Sequence, residues 1–156
     1  MSIFPTKILL ATDGSEEAAL ASQTAADVAE KTGSELHVVH VGAPLHIPRH
    51  YEGLYMGEYI EEEEKELGRR AQGLLDDQIE KLNATEGSVA QAYLRIGAPD
   101  EEIVAQAEKL GVGLIVSGSR GRGGVRRALM GSVSDSVVRH AHCPVLVVRK
   151  EKTLKN

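Results

Sequence analysis

Five short apolar runs rich in β-branched residues alternate along this 156-residue chain with four longer segments of helical period. Parallel strands need long crossovers, and helices supply them while covering the sheet, so the alternation predicts an α/β fold. The expected form is an open, three-layer, parallel five-stranded sheet with helices on both faces. The first strand is expected at 7–12, with the unbroken apolar centre Ile8-Leu9-Leu10-Ala11 that a strand covered on both sides requires. Ser15 can cap the helix that follows, Glu16 and Glu17 complement its dipole, and Ala18, Ala21, Ala25, Val28 and Ala29 share a face ended by Gly33. A second strand at 36–41 leads into 42–57, where Pro44, Pro48 and Gly53 predict a long loop, either a lid or a disordered excursion. Ile60, Leu67, Ala71, Leu74, Leu75, Ile79 and Leu82 place a helix at about 58–82, its acid run 61–64 on a solvated face. The third strand is read at 89–96. Pro99 then opens a helix carrying Ile103, Val104, Ala107 and Leu110, which Gly111 stops before strand four at 113–117. A last helix after Gly131 has Val133, Val137, Val138 and Ala141 at apolar spacing, and strand five spans 145–149.

The length suits one domain, drawn at 1–150, with 151–156 as a mobile tail. No apolar stretch approaches the roughly 20 residues that span a bilayer, and the N-terminus lacks the pattern of a secretory signal, so no membrane partner is expected. Cys143 is the only cysteine, which excludes an internal disulfide and makes the cytoplasm the default compartment. A net charge of -5, with one Phe, four Tyr and no Trp, argues against nucleic acid as a partner. His140, His142 and Cys143 do not form two well-spaced ligand pairs, and Pro48 spoils the pairing of His46 with His50, so no protein metal site is assigned.

Directly after strand four the chain reads Gly118-Ser119-Arg120-Gly121, then nine residues, then Gly131-Ser132-Val133-Ser134. Glycines let a polyanion approach the backbone, and the N-terminus of the last helix offers free N–H groups, so the pattern reads as a phosphate cradle. Arg120, Arg122, Arg126 and Arg127 lie inside it, with no acidic residue from 118 to 134. Guanidinium groups suit phosphate oxygens, although Arg126 and Arg127 read equally as solvated loop charges. On spacing alone a flexible loop is the alternative. Asp13, just past strand one, can accept from a ribose or a base edge, or simply hold the start of the helix.

Gly-x-x-Gly, nine residues, then Gly-Ser resembles the nucleotide-binding motif of the universal stress protein family, in its ATP-binding branch. The likeness runs from Ile8-Leu9-Leu10-Ala11-Thr12-Asp13-Gly14-Ser15 through Val38-Val39-His40-Val41 and Gly97-Ala98-Pro99 to Cys143-Pro144-Val145-Leu146-Val147-Val148. That resemblance implies strand order 3-2-1-4-5 in a Rossmann-like fold of the adenine nucleotide alpha hydrolase type. Residue by residue, it implies that Ala11, Thr12 and Asp13 serve the nucleoside and that Val41 receives adenine through its main chain. Gly118, Ser119, Arg120, Gly121 and Arg122 would follow the ribose and phosphates. Gly131, Ser132, Val133 and Ser134 would hold the phosphates through N–H groups and hydroxyls. Magnesium or manganese would enter only through ATP. The resemblance further implies a homodimer through Val145, Leu146, Val147 and Val148, a run apolar on both faces that reads as an edge strand.

The functional expectation is an ATP-binding stress-response regulator, a homodimeric sensor or switch that passes its occupancy to an unidentified protein partner. The alternatives are a slow ATP hydrolase or phosphotransferase using the same pocket, and a structural dimer with a vestigial one. No Lys-Ser/Thr pair follows the glycines, which removes a P-loop NTPase. Thr12-Asp13-Gly14-Ser15 stands where a dinucleotide fold would carry Gly-x-Gly-x-x-Gly and a pyrophosphatase-type ATP enzyme Ser-Gly-Gly-x-Asp-Ser.

Overall fold

Successive side chains of each central strand enter two different cores, and this period of two organises the molecule. In the computed structural model, which describes residues 2–49, 56–85, 88–119 and 130–150, the elements are β1 (Lys7–Ala11), α1 (Glu16–Thr32), β2 (Glu35–Gly42), α2 (Gly57–Thr85), β3 (Val89–Ile96), α3 (Pro99–Leu110), β4 (Leu114–Gly118), α4 (Ser132–His140) and β5 (Val145–Val148). The strands form one parallel sheet in the order β3-β2-β1-β4-β5. Ile8 and Leu10 of β1 join Val38, Val116 and the alanines of α1 with Leu75 and Leu82 of α2. Leu9 and Ala11 point the other way, to Val39, Ile115, Ile103 and Ala107 of α3, and Val137 of α4. Ile8, Leu9 and Leu10 are wholly buried. Each contributes about 1.5–3 kcal/mol relative to exposure, so β1 is a rigid base for whatever its end presents.

Local signals act as their chemistry predicts at most boundaries. Ser15 accepts from the Ala18 N–H at 3.2 Å, and α1 ends at Gly33, whose φ of 65° lets its N–H turn back to Ala29 and Glu30. Pro99 starts α3, and Gly111 closes it with a φ of 64°.

Three boundaries differ from the sequence reading. β1 ends at Ala11 and not Thr12: the Thr12 N–H stays on the ladder, donating to the Val39 carbonyl at 3.0 Å, but its own carbonyl is taken by the His40 ring. The last helix stops at His140, and Ala141 is extended at its C-cap. Its apolar face is Val133 and Val137, because Val138, about 100° further round, turns to solvent and is 44% exposed. β5 closes at Val148, one residue early. The tail at 151–156 and the section 50–55 of the expected loop lie outside the described residues.

Candidate functional site

Chain order and strand order reverse between β1 and β4. Crossovers to β2 and β3 run one way from β1, whereas β4 returns to its other side. The segments leaving β1 and β4 therefore diverge to opposite faces and leave a crevice at the carboxyl ends of the strands. Asp13-Gly14-Ser15 and the glycine motif are those two segments.

Gly118, the last residue of β4, passes so close beneath α1 that a Cβ there would stand 3.1 Å from the Glu17 carbonyl carbon and 3.2 Å from the Ala18 nitrogen. A side chain there would crowd the start of α1. Ser119 then ties four elements together. Its N–H donates to the Val148 carbonyl of β5 at 2.8 Å, and its carbonyl accepts from the Gly131 N–H ahead of α4 at 2.6 Å. Its hydroxyl donates to the Glu17 carboxylate of α1. Ser119 is buried, and its single hydroxyl proton is committed within the protein.

α4 begins without a side-chain cap. Gly131 occupies the N-cap position in extended geometry; its carbonyl accepts from the Asp135 N–H, but it has no side-chain oxygen for the N–H groups of Ser132, Val133 and Ser134, which open the helix toward the crevice. Such an end favours an anion. The Ser134 side chain is buried and turns inward, donating to the Gly118 carbonyl at 2.6 Å, with Ser117 Oγ 3.5 Å away. Ser132 is exposed. Of the two hydroxyls in this turn, that of Ser132 is on an exposed residue, while that of Ser134 is spent on the Gly118 carbonyl.

On the β1 side, Asp13 accepts from the Ser15 N–H at 2.9 Å, so its carboxylate also shapes the entry to α1. Ala11 and Val41 both lie on the α3 and α4 side of the sheet. Thr12 faces the other way; it is buried, and its Oγ1 has no hydrogen-bond partner among the described residues. His40, also buried, donates through Nδ1 to the Thr12 carbonyl at 2.8 Å. The structure thus brings Ala11, Thr12, Asp13, Val41, Gly118, Ser119 and Gly131–Ser134 to one end of the sheet. Arg120, Gly121, Arg122, Arg126 and Arg127 lie outside the described residues.

Two residues at this end of the sheet were not singled out as site residues by the sequence. Glu17 reads there as a helix-dipole charge, yet it sets an acid beside a motif that has none of its own between 118 and 134. His40 enters there only within Val38-Val39-His40-Val41, without a role of its own. Finding either requires the pairing of elements far apart in the chain. Among the described residues no group of three or more His, Cys, Asp or Glu could hold a metal ion, and no helix is long and apolar enough to cross a membrane.

The model of the universal stress protein family matches residues 5–149. The universal stress protein YxiE of Bacillus subtilis is 34% identical over 154 residues, an alignment covering 92% of this chain and 98% of the relative. Among solved structures, the hypothetical protein MJ0577 matches with a TM-score of 0.78 at 28% identity, over 97% of this chain and all of that one (100%). A universal stress protein solved in complex with cAMP matches at a TM-score of 0.65 and 20% identity, over 95% of this chain and 98% of its own. One from Archaeoglobus fulgidus in complex with dAMP matches at 0.59 and 21%, over 94% and 99%. At those last two identities the likeness is one of fold.

Proposed function

The chain belongs to the universal stress protein family, and from that premise we propose that it binds ATP in the crevice between the ends of β1 and β4 and acts as a homodimeric nucleotide sensor. One observation carries the reading: the uncapped N-terminus of α4 opens at the strand-order switch point beside Gly118, whose backbone passes close beneath α1. Main-chain donors there suit phosphate, and Ala11, Asp13 and Val41 at the neighbouring strand ends suit a nucleoside. The same fold holds cAMP in one relative and dAMP in another, which supports an adenine nucleotide as the ligand class.

In this reading Ser132, Val133 and Ser134 receive phosphate through N–H groups, with Ser132 adding its hydroxyl. Asp13 meets the ribose and Val41 the base. Gly118 and Ser119 hold the walls together, and Arg120, Gly121 and Arg122 complete the phosphate side. Magnesium or manganese accompanies ATP through its phosphates. The homodimer forms through Val145, Leu146, Val147 and Val148, a reading supported by the outer position of β5 and the exposure of Leu146. Occupancy is passed to a protein partner in the cytoplasm. No observation favours the hydrolase alternative: Asp13, its one candidate, spends an oxygen on the Ser15 N–H.

Titration calorimetry with ATP, ADP, AMP and an NAD control tests the ligand class directly. ATP at about a hundredfold excess over its dissociation constant should add about 2.7 kcal/mol of stability, visible as a raised melting temperature that Gly131→Arg abolishes. An unchanged melting curve at saturating ATP and magnesium would remove the proposed function.

A further inference from the structure

The end of the β1–β2 ladder has an unusual terminator. In a parallel pair the N–H and C=O of one residue point to the same neighbouring strand, and residues alternate between neighbours. Odd-numbered residues of β2 face β1: Glu35 donates to the Thr6 carbonyl, and the Val39 carbonyl accepts from Thr12, both at 3.0 Å. Even-numbered residues face β3, as Gly42 does in accepting from the Gly97 N–H at 3.1 Å. The N–H and C=O of Val41 therefore face the β1 side. β2 is still paired with β3 at that point, opposite Arg95, so Val41 is held in register where β1 has already ended.

The natural partner for the Val41 N–H is the carbonyl of Thr12, the next rung of the ladder. Among the described residues no main-chain bond joins Val41 to Thr12 or Gly14. The Thr12 carbonyl is instead met by His40 Nδ1 at 2.8 Å. A carbonyl only accepts, so Nδ1 carries the hydrogen, which fixes the tautomer of a buried ring. The imidazole comes from the α1 and α2 side of the sheet, opposite to the side chains of Ala11 and Val41.

We propose that His40 is a positioning residue: by engaging the Thr12 carbonyl it ends the ladder one rung early and leaves the paired N–H and C=O of Val41 open to the edge of a bound base. The open pair suits the base that the proposed function assigns to Val41. One donor and one acceptor on a rigid strand, about one residue apart, match a flat heterocycle that presents an acceptor beside an amino group. This rests on the nucleotide-binding reading and adds to it the device that keeps the base contact available.

The test compares His40→Asn, whose amide N–H can stand near the Nδ1 position, with His40→Leu, which fills the space without a donor. ATP affinity by calorimetry should fall about tenfold or more in His40→Leu and stay within about threefold of wild type in His40→Asn. In the ligand-free protein, hydrogen exchange resolved by NMR should show the Val41 amide of wild type and His40→Asn exchanging about tenfold or more faster than that of Val39. The wild-type ring should give the nitrogen spectrum of the Nδ1–H tautomer. Wild-type affinity in His40→Leu would overturn the proposal, as would an Nε2–H ring or equal losses in both variants. A purely structural histidine would lower the melting temperature of both variants without this rescue. If wild type bound no adenine nucleotide, the functional reading would fall, while the tautomer and the Val41 exchange rate would still decide the role of His40.

Discussion

The main chain of Gly118 lies against the first turn of α1 so closely that a Cβ would meet the Ala18 nitrogen at 3.2 Å. Ala18 is itself buried, and the contact is backbone on backbone, so no side-chain rotamer can relieve it. This contact joins the start of α1 to the end of β4, the two elements whose termini frame the crevice.

Gly118→Ala therefore sets two effects against each other. Alanine restricts the unfolded chain and would stabilise an unstrained position by about 0.4–1 kcal/mol. Overpacking against a fixed helix costs about 1–3 kcal/mol, and that term should win. Urea denaturation is expected to show net destabilisation of about 1–2 kcal/mol. A neutral or stabilised variant would mean that α1 lifts freely from the sheet.

Ser132 and Ser134 stand two residues apart in the same turn but should respond oppositely. Ser134→Ala removes a buried donor to the Gly118 carbonyl and should cost about 1–2 kcal/mol of stability before any ligand is added. Ser132→Ala alters an exposed residue, so its stability should change by no more than about 0.5 kcal/mol. Its ATP affinity should fall by about threefold to tenfold, for one lost hydrogen bond. Denaturation and calorimetry on the same two samples check both halves. The assignment of hydroxyls fails if Ser134→Ala keeps full stability.

The sheet was legible because β1, β2 and β4 are apolar through their centres while the helices between them keep a different period; the two patterns do not imitate one another. Strand order was available only through the family resemblance, since nothing in a single strand names its neighbour. The motif placed Gly118 and Gly131 at the crevice but could not reveal how their neighbours spend their protons. Ser119 and Ser134 look like phosphate ligands by type. Their hydroxyls are instead bound to Glu17 and Gly118, partners supplied by tertiary packing at sequence distances of 102 and 16 residues. His40 was hidden for a similar reason. Its side-chain partner is a carbonyl 28 residues away, just past the end of β1.

β5 is an outer strand, paired among the described residues only with β4, and its Leu146 is 36% exposed on the face of the sheet that carries Val116. An apolar edge of this kind invites pairing with a second copy. Leu146→Lys should move the protein to the monomer in sedimentation experiments, because burying an unpaired ammonium in an interface is strongly unfavourable. Unchanged sedimentation of the variant as a dimer would send the interface elsewhere, to the β3 edge or a helical face.

Asp100, in the first turn of α3, accepts from the Ser136 hydroxyl of α4 at 2.7 Å, and this bond is the main cause that holds its carboxyl below the usual carboxylate range; partial burial opposes it, and main-chain bonds and His140 assist. A carboxyl depressed by folding stabilises the native state fully above its unfolded pKa, and that contribution is lost as pH falls through the folded value. Wild type should therefore exceed Ser136→Ala in stability by about 0.5–1 kcal/mol at neutral pH, a figure reduced for solvent screening. The gap should narrow only below about pH 4, where an unfolded aspartate takes up its proton. Asp100→Asn keeps an acceptor but cannot titrate, so paired with Ser136→Ala it should show a pH-independent difference. A gap between wild type and Ser136→Ala that stayed constant down to pH 2 would assign the Ser136 contribution to packing between α3 and α4 and not to the charge on Asp100.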